Sequence, residues 1–257
     1  MKKFANLYLA AVFLILYLPI FYLIAYAFNA GEDMNRFTGF SFSHFQSLFA
    51  DTRLILILVQ TFLLAFLSSL LATLIGTFGA IYIYQARKRH QAAFLSINNI
   101  LMVAPDVMIG ASFLILFTTV KFQLGFISVL ASHVAFSIPI VVLMILPRLQ
   151  EMNDDMIRAA YDLGASQPQM LREIMLPYLT PAIIAGYFMA FTYSLDDFAV
   201  TFFVTGNGFS TLSVEIYSRA RQGISLEINA LSALVFIFSV LLVIGYYFIT
   251  REKEEVL

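Results

Sequence analysis

Long apolar runs dominate the chain, at roughly 7–28, 54–84, 93–119, 126–146, 178–205 and 230–249. A helix crosses the hydrocarbon core with about 20 apolar residues, so each run is long enough to span. The runs are continuous rather than alternating, which argues against a transmembrane β-barrel. The second and fifth exceed one crossing and are expected to tilt or to project. The pattern predicts an all-α, polytopic membrane protein of six transmembrane helices, one transmembrane domain over 1–257.

One polar stretch breaks this pattern. Residues 148–176 read RLQEMNDDMIRAAYDLGASQPQMLREIML. The stretch has two helix-like halves, EMNDDMIRAAYDLG and PQMLREIML, joined by Gly164, Ala165 and Ser166. Asn153, Asp154 or Asp155 can cap the first half. Gly164 can take a left-handed conformation and end it. Ser166 can cap the next turn, with Pro168 near its first position. Ala159 and Ala160 keep one side thin, while Tyr161 and Leu163 can serve as anchors. Such a helix suits a groove on a soluble partner. An ordinary interfacial amphipathic helix is the alternative.

Composition and charge set the frame. The chain is 61% hydrophobic and 12% charged, against about 25% charged in soluble domains. It has no cysteine, so disulfides and thiolate metal sites are excluded. With no Trp and 27 Phe, Phe and Tyr must supply the interfacial aromatics. Its net charge of −1 hides an asymmetry. With the N-terminus inside, Lys2, Lys3, Arg87, Lys88, Arg89, Arg148, Arg158, Arg172, Arg251 and Lys253 share the cytoplasmic face. Arg36, Arg53, Lys121, Arg219 and Arg221 fall on the other. The bias predicts both termini in the cytoplasm, with 148–176 facing the cytoplasm and loops 29–53 and 206–229 facing outward.

Lys2 and Lys3, an apolar stretch and Ala25-Tyr26-Ala27 imitate a secretory signal. The run exceeds the roughly 7–15 residues of a signal core, so retention as a true span is expected. Pro19 and Pro139 read as kinks repaired by neighbouring helices. The turn Arg87–His90 reads as a topology and lipid-headgroup signal. Segment 211–223 reads as an amphipathic helix on the outer surface, and 251–257 as a solvated tail.

Aspartate within a bilayer costs roughly 2.5–3.5 kcal/mol at a helix centre. Asp106 lies in the third run, after Pro105; Asp196 and Asp197 lie in the fifth. Counted along straight helices at about 1.5 Å per residue, Asp106 lies about 20 Å and Asp196 about 27 Å from the cytoplasmic side. Those depths allow one acidic cavity in the outer half of the membrane. Phe191, Tyr193 and Phe198 stand beside the acids, and Ser194 adds a hydroxyl. Such a site suits a cation with several ammonium groups, to which aromatic faces add about 0.5–2 kcal/mol each. Alternatively, Asp196 or Asp197 caps a broken helix or pairs with a partner's basic residue. Neighbouring helical residues point about 100° apart, so both cannot face one cavity unless the helix unwinds. His44, His90 and His133 are too scattered for a metal site; neither metal nor cofactor is expected. There is no phosphate-cradling loop, no nucleophile elbow and no zinc motif. The chain is expected not to be an enzyme, and no nucleic-acid partner is expected.

The order Ala159-Ala160, Leu163-Gly164-Ala165-Ser166, then Ile174, Leu176 and Pro177 resembles the EAA motif of ABC importer permeases. One departure is Arg158, where the family usually places Glu; Asp154 or Asp155 can substitute electrostatically. Segments Pro105-Asp106-Val107, Leu124-Gly125-Phe126, Ser194 to Asp197, Phe203 to Gly206 and Asn229 to Leu231 resemble the polyamine branch. Over nearly its full length the chain is similar to PotC-type subunits of bacterial spermidine/putrescine importers.

That resemblance implies the ABC type I importer permease fold, with a cytoplasmic coupling helix seated in a cleft of the ATPase. It implies ATPase-coupling roles for Asp155, Arg158, Ala159, Ala160, Leu163, Gly164, Ala165 and Ser166. It implies a substrate pathway of Asp106, Tyr193, Ser194, Asp196 and Asp197, with Phe45 near the outer mouth. The implied partners are a second permease subunit of the PotB type, two cytoplasmic ATP-binding subunits, an extracytoplasmic polyamine-binding protein and membrane lipids. The implied location is the bacterial inner membrane. A permease for a metal ion or thiamine is the alternative within transporters. An ion-coupled secondary transporter is the alternative outside the family, although the internal repeats usual there are not found.

Overall fold

A computed structural model describes residues 2–222, 226–237 and 240–241. Among these every regular element is helical. The chain divides into two compact units, 1–56 with 215–257, and 57–214.

In the first unit, α1 (Lys2–Ala27) is apolar on every face, and almost none of it is buried within the chain. After α1, the buried Asn29 organises a tight loop. Its Nδ2 donates to the carbonyls of Asp33 and Arg36, both at 3.0 Å, and its Oδ1 accepts from the Thr38 amide at 2.8 Å. The loop leads to α2 (Ser43–Ala50). Phe28 stacks on Phe40 at 5.1 Å and meets Phe45 at 5.0 Å. α3 (Thr52–Gln85) begins in this unit, its first turn capped by Asp51 Oδ1, which accepts from the Leu54 amide at 3.1 Å.

The second unit carries the main core. α3 has 34 residues, about 51 Å at 1.5 Å per residue, so it outreaches the bilayer as its sequence predicts. It crosses α6 (Phe126–Gln150) where Gly76 admits Val141: a Cβ on Gly76 would stand 2.7 Å from the Val141 side chain. α4 (Lys88–Val103) and α5 (Asp106–Thr119) together occupy the third apolar run. They do not form one straight span but bend by 104°. The cause is local. Ala104 precedes a proline and takes extended backbone, φ −63 and ψ 135, as the proline ring forces. Depth counted along an unbroken helix from Ala93 therefore does not apply to Asp106. Asn98 ties α4 to α6 by donating to the Pro139 carbonyl at 3.4 Å.

After α6 come α7 (Asp154–Asp162) and a rod running from Gln167 to Asp196. The rod is α8 (Gln167–Met170), a π-turn (Leu171–Met175) and α9 (Leu176–Asp196). The chain leaves helix at Asp197, φ −60 and ψ 121, and resumes as α10 (Ala199–Val204). The fifth apolar run is thus broken close to its acids. α11 (Leu212–Gln222) follows at the expected amphipathic segment, crossing into the first unit, and α12 spans Leu226–Ile237. The rest of the sixth run and the tail 251–257 lie outside the described residues. Among the described residues four helices are long and apolar enough to span, or five with the bent pair.

Candidate functional site

Two constructions in the second unit bear on function, one at each end of the rod. At its C-terminal end the acids gather. Asp106 is the first residue of α5 and is exposed. Tyr193, on α9, donates its hydroxyl to Asp106 Oδ1 at 2.9 Å. The Tyr193 ring is held edge-on by Phe136 at 5.0 Å. Asp196 is exposed and lies within electrostatic reach of both Asp106 and Asp197. Three carboxylates thus share one locality, and among the described residues neither Asp106 nor Asp196 forms an ion pair, a disposition that attracts cations.

Asp197 points the other way, its side chain 7% exposed. Oδ1 accepts from the Val200 amide at 3.2 Å; Oδ2 accepts from the Thr201 amide at 2.8 Å and the Thr201 hydroxyl at 2.7 Å. Its carboxylate, one residue ahead of the N-cap Phe198, caps the first amides of α10, one of the three roles open to it from sequence. His133 Nε2 stands 3.4 Å from the same oxygen. Ser194 is buried too, 2.7 Å from His133 Nδ1 and 2.9 Å from Ser68 Oγ. Ser194, expected from sequence beside the acids, thus sits in the buried polar layer behind them. Phe45 lies in the aromatic group of the first unit.

The break is held by close packing. A Cβ on Gly110 of α5 would stand 2.8 Å from Phe203 Cδ2 and 3.0 Å from Val200 Cα. α5 and α10 therefore approach nearly to backbone contact. The layer beneath comprises Leu64, Ile109, Val129, Phe136 and Val204.

At the other end lies the polar island. Asn153 is the cap, its Oδ1 accepting from the Asp155 amide at 2.9 Å. α7 closes with a left-handed Gly164, φ 85. The Gly164 amide donates to the Tyr161 carbonyl at 2.9 Å and the Ala165 amide to the Ala160 carbonyl at 3.0 Å, a Schellman stop. Ser166 opens the next helix, its amide and hydroxyl both donating to Gln169 Oε1.

One side of α7 is anchored: Ala160 is buried on a core of Ile145, Leu149, Met170, Met175 and Leu179. The other side, with Asp155, Arg158 and Ala159, is exposed. Leu163 is 89% exposed, unusual for a leucine at a well-ordered helix stop. A shallow pocket beside it is lined by Leu163, Ala165, Gln169, Glu173 and Ile174. Arg148 lies over the Tyr178 ring at 4.2 Å and pairs with Glu151 at 3.1 Å, fastening the end of α6 to the start of α9.

His133, Thr201 and Ser68 were not among the residues expected at the site. Position 133 carried one usable signal, a titratable side chain inside an apolar run. Nothing in the spacing of Ser68 or Thr201 marks them.

Solved structures of ABC importers share this helical fold. A chain of a bacterial ABC transporter involved in the import of the acidic polysaccharide alginate matches with TM-score 0.75 at 17% identity, covering 98% of this chain and 95% of that one. A chain of the methionine transporter MetNI, in an inward-facing conformation, matches with TM-score 0.62 at 18% identity, covering 77% and 95%. The chain belongs to the family described as binding-protein-dependent transport system inner membrane component, whose model matches residues 72–251. It is 36% identical over 250 residues to the spermidine/putrescine transport system permease protein PotC of Haemophilus influenzae, covering 97% of each. It is 31% identical to the putrescine transport system permease protein PotI of Escherichia coli strain K12, covering 95% of this chain and 89% of that one.

Proposed function

We propose that this chain is the permease subunit forming half of the translocation pathway of an ATP-driven polyamine importer. The observation that carries the reading is the grouping of Asp106, Tyr193 and Asp196, two exposed carboxylates bracketing a hydroxyl-bearing ring. A polyamine presents ammonium groups separated by methylenes. Carboxylates receive the ammonium groups, and the aromatic faces of Tyr193 and Phe136 cover the methylenes and add cation–π attraction. Ser194 and Asp197 serve the same site from behind, by shaping it. Phe45 is proposed for the outer mouth.

The exposed side of α7, with Asp155, Arg158, Ala159 and Leu163, is the proposed seat of a cytoplasmic ATP-binding subunit, two copies of which serve the pair of permeases. A PotB-type permease completes the pathway, and an extracytoplasmic polyamine-binding protein delivers the cargo. Both termini are placed in the cytoplasm, with six spans between them. Because the rod is one piece from Gln167 to Asp196, movement of the coupling segment reaches the acids directly.

The test is uptake of labelled spermidine by Asp106→Asn and Asp196→Asn in the assembled transporter. Both are expected to insert normally and to lose most uptake. Wild-type uptake in both, at wild-type membrane levels, overturns the reading.

A further inference from the structure

The polar layer behind the acids is one connected set of hydrogen bonds. Thr201 Oγ1 lies 2.7 Å from Asp197 Oδ2; an ionised carboxylate only accepts, so the threonine hydrogen points there. Towards His133 Nε2, at 2.9 Å, Thr201 can then only accept, and Nε2 carries the ring hydrogen. Nδ1 bonds the hydroxyl of Ser194 at 2.7 Å, and Ser194 bonds Ser68 at 2.9 Å, whose hydroxyl also donates to the Ala65 carbonyl at 3.2 Å. The bonds connect Ser68 on α3, Ser194 on α9, His133 on α6 and Thr201 on α10 to Asp197.

Each member is polarised by the next, so the layer is stiffer than its separate bonds. It also straddles the break. One ring nitrogen holds the last turn of α9 through Ser194; the other holds the first turn of α10 through Thr201 and Asp197. A wholly buried leucine would fill the volume of His133, but it would leave Ser194 and Thr201 each short of a partner. Packing alone therefore does not account for the imidazole.

The consequence falls on the neighbouring residue. Asp197 is tied inward by its bonds to Val200 and Thr201. Its backbone leaves helix at that point, and Asp196 is left facing Asp106 and Tyr193. The geometry points to His133 as a positioning residue that fixes the α9–α10 break and so holds the Asp196 carboxylate towards the substrate path. This rests on the reading of Asp196 as a pathway residue.

The chain contains no cysteine, so a thiol introduced into it is its only one. Asp196→Cys is made in the full transporter, its other subunits freed of cysteine, in membrane vesicles, and its reaction rate with a cationic methanethiosulfonate is measured. The same thiol is then read with His133→Leu and with His133→Gln, which keeps one acceptor and one donor. Asn207→Cys, in the exposed loop after α10, is the control. With His133→Leu the rate at 196 is expected to fall about tenfold or more, and with His133→Gln to stay within about threefold of the parent, as loss and retention of buried partners require. The control rate is expected to be unchanged. An equal rate at 196 with and without the imidazole overturns the positioning role alone. An equal change of rate at 196 and 207 assigns the effect to a general loss of structure and also overturns it. A thiol at 196 that is unreactive while His133 is present overturns the pathway reading itself, and this inference with it.

Discussion

The Tyr193 hydroxyl donates to Asp106 Oδ1 at 2.9 Å, joining residues 87 apart in the chain. The bond links the helix that carries Asp196 to the helix that begins with Asp106. Tyr193→Phe removes it and leaves the ring. Since the bond lies at an exposed carboxylate, spermidine uptake is expected to fall about threefold to tenfold, the range of an ordinary net hydrogen bond rather than of a buried charged one. Transport assays at matched membrane levels measure it; unchanged uptake would show that the bond does not order the site.

Gly110 and Gly79 make a matched pair. A Cβ at Gly110 meets Val200 Cα at 3.0 Å, whereas one at Gly79 meets nothing within 4 Å. Gly110→Ala is expected to destabilise by about 1–3 kcal/mol through forced separation of α5 and α10. Gly79→Ala is expected to be neutral or to stabilise by up to about 1 kcal/mol. Thermal melts of the detergent-solubilised complex compare the two, and equal melting temperatures would contradict the close approach.

Leu163 is exposed and Ala160 buried on one short helix. Leu163→Asp is therefore expected to leave insertion and thermal stability unchanged while substrate-stimulated ATP hydrolysis falls more than about tenfold, as loss of a central apolar anchor does at interfaces. Normal stimulation in that variant would move the ATPase contact elsewhere.

The segment around Arg219 carries a pH dependence. Arg219 bonds Asp51 at 2.8 Å, Glu215 at 2.9 Å and Glu227 at 3.2 Å. The Arg219 guanidinium holds the Asp51 carboxyl below its ordinary range, helped by the Leu54 amide. Burial acts to lower the Arg219 pKa, but its bonds to Asp51 and Glu215 outweigh this and raise it. For Asp51 the folded pKa lies below the unfolded one. Its stabilisation is thus complete above about pH 3.9 and is lost as pH falls through the folded value. The melting temperature of wild type is expected to drop between pH 5 and pH 3 by more than that of Asp51→Asn. Identical drops would remove Asp51 as the source.

Much of this was legible in the sequence, because bilayer and soluble surroundings demand different residues. The apolar runs gave the long helices, and Gly164 and Ser166 marked a stop and a start that the hydrogen bonds reproduce. The acids were visible because carboxylates inside apolar runs are costly. Two things were hidden. The third run holds Pro105, but counting along a straight helix from Ala93 missed the 104° bend that the extended Ala104 before it makes. The division of labour between Asp196 and Asp197 depends on His133, about 60 residues earlier, which local spacing cannot reveal.

The rod from Gln167 to Asp196 also has an inbuilt ratio. It crosses α6 at Gly186, where a Cβ would lie 3.4 Å from Val141 Cγ1. If the rod tilts about that crossing, its arms are about 28 Å towards Gln167 and about 15 Å towards Asp196, at 1.5 Å per residue. Such a fulcrum works as a reduction gear: a swing at the Gln167 end arrives at the carboxylates reversed and about halved, trading stroke for force.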